Sequence, residues 1–153
     1  MNQTKYYYRN SEAPKPNKPN HIGTCIIVKL SDKILLEHRA DSDVWGLIGG
    51  SLELNESFLD GIKRETREEA GIALNDDEIE LYKIYDDPSR IIAYPNGNII
   101  RSITVSYLTE LNFAPQLKCS EESRELRFFS KSDLFLLNIA KTHEHILKDY
   151  LSG

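Results

Sequence analysis

Apolar residues fall into short extended runs on either side of one long amphipathic segment in mid-chain. Gly23 to Leu30 is rich in β-formers, Ser31-Asp32 offers a turn, and Lys33 to His38 continues with Ile34, Leu35 and Leu36, which predicts a hairpin. A short apolar stretch, Val44 to Ile48, stops at Gly49-Gly50. Phe58, Leu59, Ile62, Thr66 and Ala70 then recur with helical period. Ser57 followed by Asp60 has capping-box spacing and Gly71 supplies a left-handed stop, so the pattern predicts a helix over 58–70. Gly61 inside it costs about 1 kcal/mol relative to alanine and so marks close backbone packing.

Beyond the helix, Glu80 to Tyr85 and Arg90 to Tyr94 read as strands, and Pro95-Asn96-Gly97-Asn98 is a hairpin turn into a long strand, Ile99 to Leu111. Glu125 to Phe129 is a further strand. Thr142 is placed to cap a last helix with an apolar stripe of Ile146, Leu147, Tyr150 and Leu151. Residues 9–20 hold three prolines and almost nothing apolar, which predicts an extended connector. The expected organisation is an N-terminal arm, 1–20, and one folded domain, 21–153. The class is α/β or α+β with a mixed sheet.

With 153 residues, 40% hydrophobic and 28% charged, the chain has the make-up of one ordinary globular domain. No apolar run approaches the roughly 20 residues that span a bilayer, and Met1 to Asn20 does not resemble a secretion signal, so a cytoplasmic protein without a membrane partner is expected. Cys25 and Cys119 are isolated, which points to neither a disulfide framework nor a zinc site. A net charge of −5 gives no footprint for long nucleic acid, so phosphate chemistry must rely on local cations.

On the predicted helix Glu65, Glu68 and Glu69 sit at i, i+3 and i+4, within an arc of about 100° that borders the apolar face of Phe58, Ile62 and Thr66. A lone run of this kind is ordinarily a solvated face paired with neighbours such as Lys63, Arg64 and Arg67. Carboxylates crowded at the rim of a core repel one another, and a hard divalent cation with open positions for phosphate oxygens offsets that repulsion.

Context decides between these readings. Gly50 is followed by five residues, Glu56, seven residues, and then Arg64-Glu65-Thr66-Arg67-Glu68-Glu69-Ala70-Gly71-Ile72. This resembles the Nudix box of the Nudix hydrolase superfamily, whose seven fixed positions are matched by Gly50, Glu56, Arg64, Glu65, Glu68, Glu69 and Gly71. Thr66 stands where an aliphatic residue is usual, and Ile48 where relatives often have proline. A looser resemblance runs from about His21 to about Leu137 and includes Trp45-Gly46-Leu47-Ile48-Gly49-Gly50.

The resemblance implies the Nudix fold, an α/β/α sandwich around a mixed sheet with a loop-helix-loop catalytic motif. It implies that Glu65, Glu68 and Glu69 bind Mg2+ or Mn2+ and that Arg64 holds Glu65 in place. An activated water would then attack phosphorus in a nucleoside diphosphate linked to another group. Glu65 and Glu122, the latter in Ser120-Glu121-Glu122-Ser123, are alternative general bases. Glu56 is expected to brace the box loop, and Gly49, Gly50 and Gly71 to serve turns and the helix stop.

Substrate contacts are less specified. Arg39, Arg90, Arg101 and Tyr94 are candidates, each set against surface charge or strand packing. The four histidines show no metal-ligand spacing, and Trp45 is expected to anchor the core. Tyr6-Tyr7-Tyr8 cannot bury itself alone; it would pack across a homodimer, as relatives often form, or cover the substrate cleft. The expected activity is hydrolysis of ADP-ribose-like or nucleotide-sugar-like substrates. The alternatives are sanitation of modified nucleoside triphosphates and a non-catalytic nucleotide sensor, the latter opposed by the complete box. RNA 5′-end hydrolysis is disfavoured by the acidic balance.

Overall fold

The computed structural model describes residues 3–153. Its frame is a parallel pair, β2 (His21–Leu30) and β8 (Ile99–Leu111), in register over their length from His21 opposite Ser102 to Leu30 opposite Leu111. Strand β3 (Lys33–Arg39) pairs with β2 only beside the turn, at Lys29–Ile34 and Leu30–Lys33. The two then diverge. β2 takes β5 (Ile48–Ser51) as its antiparallel neighbour, whereas β3 takes β4 (Trp45–Gly46) and β9 (Ser123–Ser130). β6 (Glu80–Tyr85) and β7 (Ile91–Ala93) pair antiparallel with β8. The sheet is therefore mixed and split at the end that carries His21, Arg39 and Gly50.

Both faces of this sheet are covered, which is why β2 reads as a continuous apolar run rather than an alternating one. Ile26 and Val28 pack with Leu35, Ile48 and Val105 under helix α1 (Phe58–Ala70), through Ile62 and Ala70. Cys25 and Ile27 face the other way, toward Leu36, Leu47 and Phe129 and the C-terminal helix, through Ile146 and Leu147. A short helix, α2 (Lys131–Leu134), precedes that helix, α3 (Lys141–Ser152). Each fully buried Ile or Leu of these clusters contributes about 1.5–3 kcal/mol. The result is the α/β/α arrangement expected, and no helix among the described residues is long and apolar enough to cross a membrane.

Three features depart from the sequence reading. The arm is not free of the fold: β1 (Lys5–Tyr7) pairs antiparallel with β7, with Tyr6 opposite Ile92. Met1 and Asn2 of the arm lie outside the described residues. The connector that follows is pinned where Asn17 exchanges hydrogen bonds with Ile99 and Gly97. Thr142 does not cap α3; Ala140 holds the N-cap position and Thr142 is buried in the first turn. Phe58 is 40% exposed, so the apolar face of α1 begins at Leu59 and Ile62.

Candidate active site

Helix α1 starts and stops on local chemistry. Asp60 N–H donates to Ser57 Oγ at 3.1 Å, and Gly71 at φ 73° turns its N–H back to Arg67 O. Between these caps the helical period places Glu65, Thr66 and Glu69 toward the sheet and Glu68 at the rim. Thr66, the departure from the motif, is wholly buried and donates to Ile62 O at 2.6 Å, so its hydroxyl is satisfied inside the helix.

Arg64 organises the outer half of the site. Its Nε and Nη2 donate to the two oxygens of Glu56 at 3.0 and 2.7 Å, and Nη1 donates to Glu65 at 2.8 Å and to Glu68 at 3.0 Å. Nη2 also reaches Ser51 O at 3.0 Å, tying the helix to the end of β5. Hydrogen bonds from Arg64, and one from Glu53 N–H, pull the Glu56 carboxyl down to about 2. Burial raises Glu65 despite the arginine.

In the inner half the cation is Arg39, which donates through Nη1 to Glu37 at 3.3 Å and makes no hydrogen bond to Glu69. Glu69 is pushed up to about 7, first by burial and then by Glu37, which lies within hydrogen-bonding reach. Ser120 Oγ donates to Glu69 at 3.1 Å. Ala40 N–H donates to Glu122 O and so fixes the loop that brings the Glu122 carboxyl against Glu69, raising Glu122 as well. Glu37 is 1% exposed, and its Oε2 has no hydrogen-bond partner. Sequence reasoning passed over Glu37. The available signal was an acid ending the apolar run Ile34-Leu35-Leu36, where strand alternation puts it on the face of Leu35, toward α1.

Among the described residues no three carboxylate, imidazole or thiol groups converge tightly enough to enclose an ion as they are placed. The donor set nevertheless fits a hard divalent cation. It consists of carboxylate oxygens, one of them buried and unpartnered on Glu37, around a Glu69 whose charged form lacks compensation.

Gly49 and Gly50 lie within β5, not in a turn, and their role is close approach. A Cβ on Gly49 would stand 2.1 Å from Thr24 O, and one on Gly50 2.7 Å from the Glu65 carboxylate. Gly61 likewise faces Leu52 and Glu56 at 2.9 and 3.2 Å. Gly50 also lines a cleft of about 120 Å³, so one backbone strand separates that cleft from Glu65. Tyr6, Ile92, Tyr94 and Ser102 line it along β1, β7 and β8, together with Arg39 and His143. Thr24 Oγ1 is buried there without a hydrogen bond, and Arg39 Nε stands 3.6 Å from Asp41. A larger cleft of about 520 Å³ lies by Tyr8, Tyr85, His145 and Asp149, remote from every box residue.

The substrate candidates separate accordingly. Arg39 and Tyr94 line the cleft beside the box. Arg90 does not; it is fully buried and its guanidinium donates to Ser102 O, Thr142 O and Thr104 Oγ1 and meets His145, so it is an internal brace. Arg101 belongs to the opposite face of β8 from Ser102 and donates to Asp86 O. The arm enters the cleft through Tyr6, while Tyr8 stacks on His145 at 3.7 Å, and both remain partly exposed. Trp45 stacks on His38 and meets Phe129 edge-on against the core, as expected of an anchor.

Comparisons with known proteins agree with this geometry. The NUDIX domain model matches residues 19–150. A MutT-like protein of Streptomyces ambofaciens is 34% identical over 114 residues, covering 68% of this chain and 73% of the relative. An ADP-ribose pyrophosphatase of Methanocaldococcus jannaschii is 29% identical over 128 residues, covering 82% of this chain and 69% of the relative. A similar solved structure is a bifunctional NMN adenylyltransferase/ADP ribose pyrophosphatase complexed with AMP and Mn ion from Francisella tularensis. It has a TM-score of 0.73 at 24% identity, and the match covers 90% of this chain but only 43% of that one. A domain match across most of the chain, joined to a motif whose arginine and glutamates meet as the motif requires, means that this chain belongs to the Nudix superfamily of hydrolases.

Proposed function

We propose that the protein hydrolyses the diphosphate linkage of a nucleoside diphosphate joined to a further group, of the ADP-ribose or nucleotide-sugar type, with Mg2+ or Mn2+. The observation that carries this reading is the thin partition at Gly50. On one side are the Arg64-organised carboxylates, and on the other a cleft walled by Tyr6, Tyr94 and Arg39. A substrate lying across Gly50 places its nucleoside in the cleft and its diphosphate against the acids. The names of the Methanocaldococcus and Francisella proteins support the ADP-ribose type.

Within this reading each side chain has a defined task. Arg64 locks Glu56 and Glu65, so the loop entering the helix and the first carboxylate are set before substrate arrives. Glu65, Glu68 and Glu69 would hold a divalent cation, which would supply charge against the phosphate oxygens and make an attacking water more acidic. Glu122, exposed on its loop beside Glu69, is the carboxylate placed to accept a proton from the attacking water. Arg39, on the cleft wall, offers positive charge to a phosphate or ribose oxygen, and Tyr6 and Tyr94 offer aromatic surface to the base.

The test is turnover of a panel containing ADP-ribose, nucleotide sugars, dinucleoside polyphosphates and nucleoside triphosphates, with Mg2+, Mn2+ or chelator. The proposal expects metal-dependent cleavage of the first two groups to phosphomonoesters. Pyrophosphate release from triphosphates alone would replace it with the sanitising reading, and binding without any turnover with the sensing one.

A further inference from the structure

Outside the motif, β3 brings a second source of carboxylate to the site, and its role rests on the metal-dependent reading above. Glu37 sits on the α1 face of the sheet, 1% exposed. One oxygen, Oε1, accepts from Arg39 Nη1 at 3.3 Å. The other, Oε2, is buried and has no hydrogen-bond partner, and strand alternation turns the carboxyl to the face of Leu35, toward helix α1 and Glu69, which it raises.

An internal ion pair with Arg39 accounts for only half of this arrangement. Arg39 reaches Glu37 only at Oε1 and turns its Nε toward Asp41 at 3.6 Å, so it leaves Oε2 without a hydrogen bond. Arg64 is committed to Glu56, Glu65 and Glu68 on the outer side. Two carboxylates facing one another where water is excluded repel, and a buried anionic oxygen without a partner is costly. A hard cation between them removes both penalties and gives the free oxygen a bond.

We propose that Glu37 is a ligand of the divalent cation, contributed by the sheet rather than by the box, and that with Glu69 it forms the inner half of the cation site, beside Glu122. The structure thereby assigns the site a member that the box spacing does not contain.

The experiment is a titration of the full-length protein with Mn2+ alone, read by electron paramagnetic resonance of the free ion, for wild type, Glu37→Gln, Glu37→Asp and Glu69→Gln. Loss of a ligand weakens Mn2+ binding by about tenfold or more in Glu37→Gln, with the fold in chelator checked by its melting transition because the Arg39 pair is weakened as the repulsion with Glu69 is relieved. Glu37→Asp keeps the charge and the Arg39 pair but shortens the reach, so it also binds Mn2+ more weakly; it carries the test if the glutamine variant does not fold. Affinity within about twofold of wild type in the folded Glu37 variants overturns the proposal. If Glu69→Gln alone loses Mn2+, the assignment of Glu37 falls and the proposed function stands; if wild type takes up no Mn2+, both fall.

Discussion

Arg64→Ala removes the guanidinium that joins the motif helix to the loop before it. Three of its contacts go to carboxylate oxygens of Glu56 and Glu65, whose side chains are only 12% and 10% exposed, and a fourth to Glu68, half exposed. A hydrogen bond to a charged group contributes about 1.5–3 kcal/mol, and breaking a fully buried pair costs about 3–5 kcal/mol. The exposed Glu68 contact adds little. Because Glu56 and Glu65 keep some solvent, the lower end applies, about 3 kcal/mol, which for a chain of this size lowers Tm by about 6–12 °C. Arg64→Lys retains a charge but not the fork that grips Glu56 at both oxygens, so about half the loss is expected.

The pH dependence gives an independent check on the same contacts. Glu56 is held at about 2 against an ordinary 4.5, so its contribution is fully present above about pH 4.5 and is lost as the pH falls toward 2. Urea unfolding from pH 7 down to pH 3 in chelator should therefore show a shallower acid slope for Arg64→Ala than for wild type. A variant within about 1 kcal/mol of wild type that keeps the wild-type slope would refute the role given to Arg64.

Other consequences follow from the same geometry. Glu69→Gln keeps the fold and lowers metal-dependent turnover by about two orders of magnitude or more; an unchanged rate removes Glu69 from the site. Burial raises Glu69 from 4.5 to about 7, so the metal-free fold binds that proton more tightly than the unfolded chain does; this stabilisation is complete below pH 4.5 and lost by about pH 7. A divalent cation replaces the proton, so the rise in Tm on adding Mn2+ should be large at pH 8 and small at pH 5, and equal rises would contradict it. Gly50→Ala puts a methyl 2.7 Å from the Glu65 carboxylate, which can yield only by leaving Arg64, so kcat and Tm both fall; wild-type values of both would contradict the close approach. Tyr6→Ala should raise KM for the preferred substrate about tenfold with kcat nearly unchanged; an unaltered KM would mean that the arm merely packs.

The helix and its chemistry were legible because they depend on neighbours in sequence. Ser57, Asp60 and Gly71 set both ends of α1 through bonds spanning a few residues, and the glutamates share a face by helical period alone. What escaped depends on distant pairing. β1 is three residues long and acquires its partner only when β7, more than 80 residues later, is already held by β8. Glu37 was passed over because the helix that covers it and the loop with Glu122 come from other parts of the chain. Arg90 looked like a surface cation, yet backbone carbonyls of β8 and α3 gather around it. Gly49 and Gly50 resembled a turn signal, whereas they are strand positions at which β2 and Glu65 come too close for a side chain.

The most direct test of the central claim is phosphorus NMR of ADP-ribose incubated with the protein and Mg2+, with Glu69→Gln and a chelated sample alongside. The account predicts that the two diphosphate resonances give way to two phosphomonoester resonances, for AMP and ribose phosphate, in the metal-loaded wild type alone. Persistence of the diphosphate pair in the metal-loaded wild type, or equal conversion by Glu69→Gln, would contradict it.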